Sequence, residues 1–129
     1  MSLSLSEAIG YVDRGIEKAI EMDAKVALVV VDEFGQLVQL DRMDGASLMA
    51  PDIAEAKAVT AVNFKRPTGA LSQMPDVVVG TIDDVVNFKV VALAGGVPIF
   101  DGGELKGAIG VSGATAEQDE DVAKHAISP

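Results

Sequence analysis

Four side chains carry charge or a hydroxyl where a pocket could use them: Lys57, Thr60, Arg66 and Thr68. Lys57 and Thr60 interrupt an alanine-rich helix, and Arg66 and Thr68 follow where Pro67 ends it, because the residue before proline disfavours helical geometry. The chain has 129 residues, with twenty acidic against ten basic and a net charge of −10. In such a chain, two cations converging on one pocket would bind a carboxylate-bearing ligand. Lys57 also has structural readings, in which its stem reaches to solvent or its ammonium pairs with Glu55 or Asp52.

Other chemistries find little support. The single histidine, His125, lies among acidic neighbours on the last helix. One histidine builds neither a typical zinc or copper site nor a serine–histidine–acid set. With no cysteine there is no disulfide, thiol nucleophile or thiolate site. The pairs Gly95-Gly96 and Gly102-Gly103 lack the spacing of a phosphate-binding loop. Asp32, Asp41 and Asp44 lack the spacing of a calcium loop and read as a solvated acidic rim.

The elements that would position these residues follow from periodicity. Leu5, Ile9, Val12, Ile16 and Ile20 mark one face of a helix over 4–22, with Ser4 and Glu7 as a capping box. The run from Lys25 to Val31 reads as a buried strand and pairs, through a turn at 32–35, with a strand over 36–42. Pro51 opens a helix that continues from Ile53 to Phe64, apolar nearly all round, as a central helix would be. Residues 73–84 read as an irregular connection and 85–93 as a strand. The runs 97–100 and 105–111 form a hairpin, and Thr115 with Gln118 caps a final helix. The class is α+β, an antiparallel sheet of about five strands flanked by helices.

Hydrophobic residues make up 49% of the chain but aromatics only 4%, so the core is aliphatic and small, which favours burying further surface between copies of the chain. The acidic surface argues against nucleic-acid and membrane partners. No membrane span and no signal-peptide pattern is evident, so a cytoplasmic location is expected.

Three blocks resemble the GlcG/HbpS family, which includes haem-binding HbpS, GlcG and the C-terminal domain of PduO-type corrinoid adenosyltransferases. They are VVVDEFGQLVQLDRMDGA at 29–46, KAVTAVNFKRPT at 57–68 and GGVPIFDGGELKGAIGVSGATAEQDEDVA at 95–123. The resemblance implies one domain over 1–129, a profilin-like sheet and a homo-oligomer, with an octamer favoured. It also implies a small-molecule ligand, haem first and a corrinoid second. Lys57 and Arg66 would meet haem propionates and a hydroxyl such as Thr68 would approach the iron. Thr60, Gly95, Gly96 and Gly113 would complete the pocket. The alternative is an enzyme or accessory subunit acting on a small hydroxy or unsaturated carboxylic acid, held by Lys57 and Arg66.

Overall fold

The computed structural model describes residues 2–128. Helix α1 (Leu5–Glu21) leads into strands β1 (Ala27–Asp32) and β2 (Leu37–Arg42), and helix α2 (Ala50–Phe64) follows. A short 3-10 turn (Thr68–Gln73) and helix α3 (Asp76–Val85) come next. Strands β3 (Gly96–Asp101) and β4 (Glu104–Ser112) and helix α4 (Ala116–Ile127) complete the chain. All strand pairs are antiparallel, in the order β2-β1-β4-β3.

Alternation along β1 divides the core into two layers. Val26, Leu28 and Val30 face α1 and α4, where they pack with Val12, Ile109, Val111, Val122 and Ala126. Ala27, Val29 and Val31 face the opposite way, onto Ala54, Ala58 and Ala61 of α2. Strand β1 is therefore covered on both sides, which is why it reads as an unbroken apolar run. The small side chains of α2 let it press on the sheet: a Cβ on Gly110 of β4 would collide with the carbonyl oxygen of Ala54.

Both capping boxes form as the sequence indicates, Ser4 with Glu7 and Thr115 with Gln118. At its other end α2 stops on Lys65, which adopts a left-handed conformation with φ of 56°.

The sheet has four strands, not five, and the α+β class holds. The expected strand over 85–93 is absent because its backbone groups are taken by side chains. Asp83 accepts from the Val90 amide at 2.9 Å and Thr60 Oγ1 accepts from the Val91 amide at 3.1 Å. The Leu93 carbonyl accepts from the Thr68 hydroxyl. The expected irregular stretch over 73–84 contains α3 instead, opened by Pro75 and Asp76. Proline fits the start of a helix, and an acid in the first turn complements its dipole. At the opposite edge of the sheet from β2, Pro98 sits within β3, paired on its inner side with Ala108 of β4.

Candidate functional site

The residues singled out from the sequence fall into three groups. Lys57 is 2% exposed and its ammonium is bound internally by two partners. Nζ donates to the carbonyl oxygen of Val111 at 2.9 Å and to Oδ2 of Asp119 at 3.2 Å. The partner is Asp119 of α4, not Glu55 or Asp52. The ion pair therefore crosses from α2 past the end of β4 to α4. Oδ1 of Asp119 accepts from the Ala114 amide at 3.0 Å, so one carboxylate fixes both the lysine and the turn into α4. Burial pushes the Asp119 carboxyl above its ordinary value, against the pull of Lys57 and of the Ala114 and Gly113 amides.

Gly95 and Gly96 belong to the same knot. Gly95 has φ of 130°, and a Cβ there would lie 2.7 Å from Lys57 Nζ and 2.5 Å from the Val111 oxygen. A Cβ on Gly96 would meet the Lys57 backbone and, at 2.8 Å, Cγ2 of Thr68. Thr68 is fully buried; its hydroxyl donates to Leu93 and accepts from the Gly96 amide at 2.9 Å. The structure thus brings Lys57, Thr68, Gly95 and Gly96 together, with almost no side-chain surface of Lys57 and none of Thr68 offered to solvent.

Thr60, also buried, donates to the Ala56 carbonyl at 2.7 Å and anchors the backbone at Lys89 and Val91. Gly113 lies apart, where a Cβ would meet the Lys25 carbonyl oxygen at 2.6 Å. Arg66 is exposed just beyond α2. It is the one member of the expected set whose charge faces solvent. His125 is exposed on α4, in the other helical layer.

Sequence reasoning missed Asp119. The signal was present: Asp119, Val122, Ala123 and Ala126 form one buried stripe on α4, and a carboxylate inside an apolar stripe requires an internal partner.

Comparison with known proteins matches this geometry to a family. The family model for HbpS-like, haem-degrading proteins matches residues 3–128. The corrinoid adenosyltransferase PduO of Citrobacter freundii is 33% identical over 130 residues, covering 99% of this chain and 39% of the relative. The chain thus spans about two fifths of the length of that enzyme. Protein GlcG of Escherichia coli K12 is 37% identical over 110 residues, covering 85% of this chain and 81% of GlcG. The crystal structure of a PduOC:haem complex has a TM-score of 0.87 and 32% identity, covering 98% of this chain and 94% of that one. With sequence and fold matched over almost every described residue, the chain belongs to the HbpS-like family of haem-degrading proteins.

Proposed function

We propose that this protein is a haem-binding member of its family and acts as a homo-oligomer, with the octamer as the favoured assembly. The haem reading is carried by one observation: the PduOC:haem complex shares the fold at 32% identity over 98% of this chain. From the chain's own residues, the fit is to the carboxylate-bearing edge of the porphyrin. Arg66 offers an exposed guanidinium for a propionate. Lys57, Thr68, Gly95 and Gly96 form a buried knot and Thr60 ties the 89–91 backbone to α2, so their part is in shaping the fold and not in touching the ligand. A histidine ligand for iron does not fit beside Arg66, since His125 stands across the sheet in the α1–α4 layer. No corrinoid is proposed ahead of haem. The acid-binding alternative loses half of its clamp, because the Lys57 ammonium is committed to Asp119. A cytoplasmic location belongs to the same proposal; among the described residues no helix is long and apolar enough to cross a membrane.

Hemin titration followed at the Soret band tests the reading. The wild type should give a saturable shift. Arg66→Ala should weaken it about tenfold, the value of one hydrogen bond to a charged group, while His125→Ala leaves it unchanged. Absence of a saturable shift in the wild type would overturn the proposal.

A further inference from the structure

A second place on the molecule has the features of a small-molecule site. The turn between β1 and β2 holds Phe34 outward, 76% exposed, on a backbone that is firmly tied. Asp32 Oδ1 accepts from the amides of Phe34 at 2.9 Å and Gln36 at 3.0 Å, and the Gly35 amide donates to the Asp32 carbonyl at 3.0 Å. Asn87 and Phe88 form a second wall, fixed from behind by the Thr60 and Asp83 contacts to residues 89–91. Val59 and Asn63 of α2 also line the groove, which encloses about 780 Å³. None of its lining side chains is charged, in a chain that is 23% charged.

The chemistry of the lining is specific. Two of the chain's four phenylalanines line one groove, Phe34 exposed and Phe88 half-buried, and aromatic rings present flat apolar faces. Three carboxamides, Gln36, Asn63 and Asn87, supply donors and acceptors without charge. Asn63 Nδ2 donates to the Val59 carbonyl at 2.9 Å, which leaves its Oδ1 as an acceptor for a ligand. The turn that carries Phe34 is already fixed through Asp32, so binding there has little further backbone to order. We propose that this groove binds a neutral, planar nitrogen heterocycle, its face against Phe34 and Phe88 and its polar edge on the carboxamides. The net charge of −10 disfavours a phosphorylated form of the same ring. The proposal is independent of the haem reading.

Riboflavin, whose fluorescence is quenched on stacking, serves as the probe, titrated with the full chain at low salt. Saturable quenching is expected, with flavin mononucleotide binding more weakly than riboflavin. Phe34→Ala and Asn63→Leu should each reduce riboflavin affinity about tenfold. Phe34→Ala should do so without moving the unfolding midpoint, because the ring is exposed. Both variants should keep the hemin Soret response of the wild type. The proposal is overturned if riboflavin gives no saturable quenching up to its solubility. Unchanged affinity in the Phe34→Ala/Asn63→Leu variant also overturns it, as does competitive displacement of riboflavin by hemin, which would make the groove part of a haem site.

Discussion

The buried Lys57–Asp119 pair is the most consequential contact at the residue scale. Taking two charges out of water is costly, and mutual attraction offsets that cost only while both partners remain. Lys57→Met should therefore destabilise the chain by about 3–5 kcal/mol at pH 7, measured by urea unfolding. Lys57→Met/Asp119→Leu should recover much of the loss, since no lone charge is then buried. The pH dependence has a definite sign. The folded Asp119 carboxyl is already raised by burial, so its contribution is fully present below the unfolded value and is lost as pH rises through the folded one. Removing Lys57 raises it further, so the Lys57→Met penalty should grow on going from acid to neutral pH.

Asp83 behaves in the opposite way. Its bonds to the Lys89 ammonium at 2.7 Å and the Val90 amide hold its carboxyl below the ordinary value of 3.8. That contribution is present above 3.8 and fades as pH falls through the lower folded value. Asp83→Asn should thus lower the unfolding midpoint at pH 7 and have little effect near the acid limit of the transition.

At the scale of elements, the segment 65–94 stands out. Helix α3 buries none of its residues, and side-chain hydroxyls and one carboxylate tie the following loop back to α2 and into the segment itself. Thr60→Val keeps the shape but removes the acceptor of the Val91 amide. Exchange of amide hydrogens over 86–93 should accelerate about tenfold, with the β1 and β4 amides unaffected, as read by hydrogen exchange. A uniform acceleration across the whole chain would show instead that the hydroxyl acts on global stability.

Legibility divided along the same line. Strand β1, the alanine face of α2 and both capping boxes are written in local periodicity and in residue types with one mechanical use, so the sequence shows them directly. Residues 73–93 are not. Their valines suit a strand, yet Pro75 and Asp76 start a helix there, and the amides beyond it bond to side chains, Val90 to Asp83 and Val91 to Thr60, 31 residues away. The site divides similarly: Lys57 was visible as an anomaly in an apolar helix, whereas its partner lies 62 residues away and only folding brings the two together.

For the whole molecule, α3 stands out as a helix that buries none of its residues. A ten-residue helix is marginal in water on its own, yet Val77 is 74% exposed and Val78 is 38% exposed. The proposed homo-oligomer predicts that these exposed valines meet a neighbouring copy. Val77→Asp/Val78→Asp should shift the mass measured by light scattering from the assembly towards the single chain, with the circular dichroism of the sheet retained. An unchanged mass would place the contact elsewhere.

Pro98 carries one further consequence. An antiparallel sheet open at both sides resembles a bifunctional monomer, able to add a neighbour at each end and grow without limit. Proline in β3 has no N–H to give an incoming strand, so that side is a poorer point of addition than β2. Strand addition between copies of this protein is thereby steered to the β2 edge and discouraged from running on into a ribbon.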